Sequence, residues 1–152
     1  LFVSNPDSEN TLRIIYNGRE LPRDRESLYW LNTKSIPSAN KDDLKDKNVL
    51  QIAVLSRIKI FVRPEGLPIQ SADAAALLKL SRQGNNLVID NPSPYYITLI
   101  NLKWGSQSLG STMVSPKSKV SIKAPPNTSG IVKYQTINDY GASSPVVTMN
   151  IN

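Results

Sequence analysis

The chain has 152 residues, of which 39% are hydrophobic and 20% are charged, a composition typical of globular proteins. It contains neither cysteine nor histidine, so disulfides, thiolate nucleophiles and histidine-dependent catalytic arrangements cannot form. We therefore expect no enzymatic activity and no cofactor. The net charge of +6 comes from scattered basic residues, and no run approaches the roughly 18 apolar residues of a spanning helix. We expect neither a nucleic-acid partner nor membrane insertion.

Period-two alternation and closely spaced turn residues predict an all-β fold made of antiparallel β-sandwiches. A helix over 71–79 is the one alternative, because three consecutive alanines favour a helix there, but its few turns leave it ambiguous with a strand at 76–80. The predicted strands are 11–16, 28–36, 49–62, 76–80, 87–90, 96–102, 119–122, 131–136 and 146–151.

Two prolines and a glycine in the segment 64–68 mark a domain boundary, because proline cannot donate a hydrogen bond to a sheet. We expect a first domain over 1–63, a linker over 64–68 and a second domain over 69–152. The second domain has enough strands for an immunoglobulin-like sandwich. The first has too few, so we expect it to be represented only by its last strands. The chain begins at Leu1 rather than at methionine, which suggests a processed or incomplete N-terminus.

The predicted strand 49–62 is apolar on both faces, with Leu50, Ile52 and Val54 on one of them. Such a strand is either buried in the core, which the residues alone favour, or an edge strand whose outer face a partner covers. Arg57 and Lys59 follow on the opposite face. Charges are costly to bury unpaired, so Lys59 either binds an anion or is a solvated edge lysine.

Four separated segments resemble the periplasmic pilus-assembly chaperones of the chaperone/usher class. They are RESLYWLNTKSIP (25–37), LQIAVLSRIKIFVRP (50–64), NPSPYYITL (91–99) and INDYGA (137–142). The short connection over 37–48 lacks cysteine and is similar to the branch that serves rod-forming pili.

The resemblance implies two immunoglobulin-like β-sandwich domains arranged as a boomerang. It also implies a periplasmic chaperone that binds and stabilises pilus (fimbrial) subunits by donor-strand complementation and delivers them to an outer-membrane usher. In that family, the positions of Leu50, Ile52 and Val54 fill the subunit's groove, and Lys59 binds the subunit's C-terminal carboxylate. An arginine that shares this carboxylate would precede Leu1. The alternative function is an immunoglobulin-like pilus or surface structural subunit.

The resemblance also implies an ion-pair network between the domains, formed by Glu26, Arg63 and Asp139. Without the resemblance, each of these residues is interpreted as an ordinary surface charge, worth about 0 to 1 kcal/mol when paired. Tyr95 and Tyr96 are either a ligand platform or aromatic packing, and packing is the commoner use.

Overall fold

The computed structural model describes residue 3, residues 8–37, residue 50 and residues 52–151. In this part of the chain the structure is almost entirely β, as predicted. The one α-helix, α1 (Ser71–Ala74), continues into a 3-10 turn at Ala75–Leu77. The strands are β1 (Ser27–Ser35), β2 (Val54–Val62), β3 (Lys79–Gln83), β4 (Asn86–Asn91), β5 (Ile97–Trp104), β6 (Gln107–Val114), β7 (Ser118–Lys123), β8 (Ile131–Thr136) and β9 (Val147–Asn150).

The first part of the chain forms a two-stranded antiparallel sheet of β1 and β2. Its register runs from Ser27 opposite Val62 to Ser35 opposite Val54. No other strand of the described residues joins this sheet. Both of its faces therefore carry exposed apolar side chains, including Trp30 and Ile58.

The second part forms a sandwich of two sheets, with strand orders β3-β4-β7 and β6-β5-β8-β9. Alternate residues of both sheets point into one core, as expected for an immunoglobulin-like domain. Every buried hydrophobic residue among those described lies in this part of the chain. Its largest fully buried apolar side chains are Leu87, Ile89, Leu99, Leu102, Trp104, Val114 and Val132.

The predicted strand at 11–16 is wrong. These residues are not in a strand, and Leu12, Ile14 and Ile15 are more than half exposed. A strand needs a neighbour for its backbone hydrogen bonds, and none of the described strands pairs with this segment. Alternation alone could not reveal this.

Two further details differ from the prediction. The strand predicted at 76–80 begins only at Lys79, because the alanine-rich segment before it forms the helical turns that were the alternative. Strand β6 was not predicted at all. Its sequence QSLGSTMV is rich in small polar residues, and Gly110, with φ of +77°, lies where its pairing with β5 shifts register.

Candidate functional site

The candidate site begins at the open edge of β2. This strand pairs with β1 on one side and with no other strand among the described residues. It starts at Val54 rather than at residue 49, because its partner β1 ends at the opposite residue, Ser35. Leu50 and Ile52 therefore precede the strand, while residues 49 and 51 lie outside the described part of the chain.

The three predicted groove-filling residues are exposed. The exposed fractions are 83% for Leu50, 65% for Ile52 and 59% for Val54. A buried core strand does not show such exposure, so the core interpretation of this segment does not describe the structure. What remains is a row of exposed apolar side chains that leads into a strand edge with no partner among the described residues, which is a surface that favours association.

Lys59 lies on the face of β2 that also carries Arg57. In the register of the sheet Lys59 is opposite Trp30, and its ammonium nitrogen lies 5.4 Å from the centre of the indole ring. The Arg57 guanidinium carbon lies 4.1 Å from the same ring. No carboxylate of the described residues pairs with Lys59. Lys59 is thus half-buried, with its ammonium beside an aromatic ring, and it is able to bind an anionic ligand.

The structure brings Glu26, Arg63 and Asp139 together. Arg63 donates from Nε to Glu26 Oε1 at 2.8 Å. Its Nη1 and Nη2 donate to the two carboxylate oxygens of Asp139 at 2.7 and 2.8 Å. Two parallel hydrogen bonds of this kind fix the direction as well as the distance of an ion pair. Arg63 follows β2, whereas Asp139 belongs to the part of the chain that forms the sandwich, so this contact joins the two parts of the chain.

Glu26 adds two hydrogen bonds between the two parts of the chain. It is buried, with 4% of its surface exposed. Its Oε2 accepts a hydrogen bond from the backbone N–H of Tyr96, and its own N–H donates to the carbonyl of Pro94, both at 2.8 Å. Each carboxylate oxygen therefore has a donor, as a buried charge requires.

The ion pair lowers the pKa of Asp139 from its usual 3.8 to about 2, chiefly through the hydrogen bonds from Arg63. The carboxylate pair in turn raises the pKa of Arg63 above its usual value, with Asp139 as the largest cause. Because the pKa of Asp139 is lowered, its contribution is complete above about pH 4 and is lost as the pH falls through about 2. The pair of Arg63 and Asp139 is therefore ionised near neutral pH.

Two polar turns position these partners. Asn91 is fully buried, and its amide donates to the carbonyls of Tyr95 and Ser115 at 2.7 and 3.0 Å. This fixes the turn that presents Pro94 and Tyr96 to Glu26. In the second turn, Asn138 Oδ1 accepts hydrogen bonds from the N–H groups of Tyr140 and Ala142, both at 3.0 Å. These bonds fix the turn that contains Asp139.

Aromatic packing completes the junction. The ring centres of Phe61 and Tyr96 lie 5.5 Å apart, and the Tyr95 hydroxyl donates to the carbonyl of Ile69 at 2.6 Å. The packing interpretation of both tyrosines is thereby confirmed. A cleft of about 390 Å³ lies beside these rings and the ion-pair network. Its lining residues are Glu26, Phe61, Arg63, Tyr96, Thr98, Ile137, Asn138 and Asp139.

Sequence reasoning missed a second ionic contact at this junction. The Lys117 ammonium donates to Asp24 Oδ2 at 2.6 Å, and Arg25 donates to both oxygens of the same carboxylate. These hydrogen bonds, from Arg25 first and Lys117 second, hold the pKa of Asp24 well below its usual range. Asp24 and Lys117 are 93 positions apart in the sequence. No local pattern signals such a pair.

Comparison with known families gives the class of protein. Residues 1–68 match the N-terminal domain model of the PapD pili and flagellar-assembly chaperones, and residues 73–148 match the C-terminal domain model of the PapD pili assembly chaperones. The chain therefore belongs to the PapD-like pilus-assembly chaperone family. This membership also confirms the expected pair of immunoglobulin-like domains.

Individual relatives agree with this assignment. The chain is 53% identical to the probable fimbrial chaperone SfmC of Escherichia coli K12, over all of this chain and 66% of that protein. It is 42% identical to the chaperone protein FimC of the same organism, over 97% of this chain and 61% of that protein. The chain thus spans less than two thirds of the length of these relatives.

Solved structures show the same fold. The periplasmic chaperone SfaE matches with a TM-score of 0.69 and 44% identity, covering 84% of this chain and 59% of that one. A chain from the structure of the Salmonella enterica SafA pilin in complex with the SafB chaperone matches with a TM-score of 0.76 and 26% identity. That match covers 88% of this chain and 63% of that one.

Proposed function

We propose that the protein is a periplasmic chaperone that binds pilus (fimbrial) subunits through the free edge of β2 and delivers them to an outer-membrane usher. The observation that carries this proposal is the edge of β2 with which no strand of the described part of the chain pairs, together with the exposed side chains of Leu50, Ile52 and Val54. An extended segment with free backbone groups and alternating apolar side chains is what strand addition to an incomplete sheet requires.

In this mechanism the backbone of β2 supplies hydrogen bonds that any sequence can accept, while the alternate side chains supply selectivity. Leu50, Ile52 and Val54 share one parity, so they point to the same side when the segment is extended. Full burial of one such side chain contributes about 1.5 to 3 kcal/mol. Three residues in a subunit groove therefore provide a large part of the binding free energy.

Lys59 has a separate role in the proposal. Its ammonium lies on the face of β2 towards Trp30 and is not neutralised by a carboxylate of the described residues. A subunit's C-terminal carboxylate at this position makes a charge-assisted hydrogen bond, which fixes where along β2 the subunit sits. We propose that Lys59 sets the register and that the apolar row supplies the affinity.

The contact of Glu26, Arg63 and Asp139 is assigned the role of holding two domains at a fixed angle. We keep the division into a first domain over 1–63, a linker over 64–68 and a second domain over 69–152 as part of this proposal. It is supported by the separate sheets on either side of the linker. No helix in the described part of the chain is long and apolar enough to cross a membrane.

Substitution of Ile52 by aspartate tests the proposal. We expect Ile52→Asp to reduce the amount of pilus subunit recovered with the chaperone at least about tenfold, because a buried unpaired carboxylate opposes groove filling. The measurement is co-purification after co-expression with a pilus subunit, with the chaperone's circular dichroism recorded in parallel.

The matched control is Ile131→Asp, which places the same charge at an exposed position of β8 in the sandwich. We expect this variant to recover subunit as the wild type does. Equal recovery with Ile52→Asp and with the wild type would show that the segment before β2 does not enter the subunit.

A further inference from the structure

The junction between the two parts of the chain has a second ionic contact, well away in sequence from Arg63 and Asp139. Asp24 lies two residues before Glu26, and Lys117 lies in the turn between β6 and β7. Their side chains meet at 2.6 Å and are about half exposed, at 51% and 40%. An isolated surface pair of this kind contributes only about 0 to 1 kcal/mol to stability. Any larger effect of this ion pair must therefore come from its position between the two parts of the chain.

The backbone conformation of Lys117 independently indicates that its side chain has a structural role. Its φ is +51°, in the left-handed region where glycine and asparagine are the favoured residues. Lysine is a costly choice for such a position unless its side chain contributes something. The Lys117 N–H also donates to the carbonyl of Ser93 at 3.0 Å, so the turn is tied to the segment that contacts Glu26.

We propose that the ion pair of Asp24 and Lys117, called the pin below, is a second contact that positions the two domains. Together with the Arg63–Asp139 pair, it sets the interdomain angle. Each additional contact at a separate point removes part of the freedom with which two bodies rotate about the contacts already made. Interdomain motion is the usual behaviour where the interface is small and polar. The pin therefore restricts orientation more than it adds stability.

The use of this pin in holding a subunit rests on the proposed chaperone function, but its effect on domain orientation does not. The test is consequently a distance measurement on the chaperone alone. The sequence contains no cysteine, so Ser35→Cys and Ser121→Cys create the only two sites for spin labels. Both positions are exposed, one in β1 and one in β7. Pulsed electron resonance then reports the distribution of distances between them.

We expect Lys117→Met and Asp24→Asn to broaden this distribution at least about twofold relative to the wild type. Lys117→Arg retains the charge and should keep the narrow distribution. The control is Glu20→Gln, which removes an equally short ion pair, Arg23–Glu20 at 2.6 Å, that does not join the domains. Thermal denaturation of each variant verifies that it is folded.

A narrow, unshifted distribution in both Lys117→Met and Asp24→Asn would overturn the proposal, as would equal broadening in Glu20→Gln. Should Asp24→Asn not fold, Lys117→Met decides the matter by itself, because its side chain lies in a surface turn. Broadening in Lys117→Met together with a failure of the wild type to bind pilus subunits would support the pin and refute the proposed function. The two conclusions are thus separable.

Discussion

Lys59→Ala is expected to reduce the recovery of pilus subunits about tenfold to a hundredfold while the chaperone itself stays folded. A hydrogen bond to a charged group is worth about 1.5 to 3 kcal/mol, and each 1.4 kcal/mol is a factor of ten in affinity. The Lys59 ammonium forms no ion pair with the described residues, so its loss leaves no carboxylate of that part unpaired. Quantitative co-purification with a pilus subunit provides the measurement.

Lys34→Ala is the matched control for this experiment. Lys34 lies on β1 opposite Leu55, on the same face of the sheet as Lys59, and it is exposed. It therefore reports the effect of removing one positive charge from that face. Undiminished recovery with Lys59→Ala, or an equal loss with Lys34→Ala, would refute the specific role of Lys59 in carboxylate binding.

Arg63→Ala is expected to lower the free energy of unfolding by about 1 to 3 kcal/mol, the cost of leaving a buried polar group without its partner. The affected group is Glu26, whose side chain is only 3% exposed and would retain just the N–H of Tyr96. The exposed half of the network contributes less, because Asp139 can regain water. Urea denaturation followed by tryptophan fluorescence measures the difference.

Two further variants identify the cause of this loss. Arg23→Ala removes an arginine from an ion pair whose side chains are 86% and 74% exposed, so its effect should stay within about 1 kcal/mol. Adding Glu26→Gln to Arg63→Ala removes the unpaired charge and should recover part of the lost stability. A double variant less stable than Arg63→Ala would contradict the account of Glu26 as a buried charge that needs Arg63.

The sequence predicted strands best where alternation is strong and at least one neighbouring strand is present. Strands β1, β4 and β8 lie within one or two residues of their predicted positions. Strand β6 escaped prediction because serine, threonine and Gly110 interrupt its apolar pattern at a shift in register. The segment 11–16 shows the opposite error, since its alternation is clear but no described strand pairs with it.

The site was predictable to a different degree at each position. Periodicity identified the apolar faces of the segment that leads into β2, but only a family resemblance separated a partner-facing edge from a core strand. The same resemblance was needed for Glu26, Arg63 and Asp139, because their contact depends on two turns folding against each other. Nothing local could pair Asp24 with Lys117, since that contact exists only once both parts of the chain are folded and docked.

Amide hydrogen exchange along β2 tests the central claim most directly. If a pilus subunit adds a strand to this edge, the N–H groups of β2 that do not bond to β1 should exchange much more slowly in the complex than in the free chaperone. Strand β9 is also an edge strand and serves as the internal reference, with exchange expected to be unchanged. Slowed exchange in β9 with unchanged exchange throughout β2 would contradict the claim that this protein holds subunits by lending them the β2 edge.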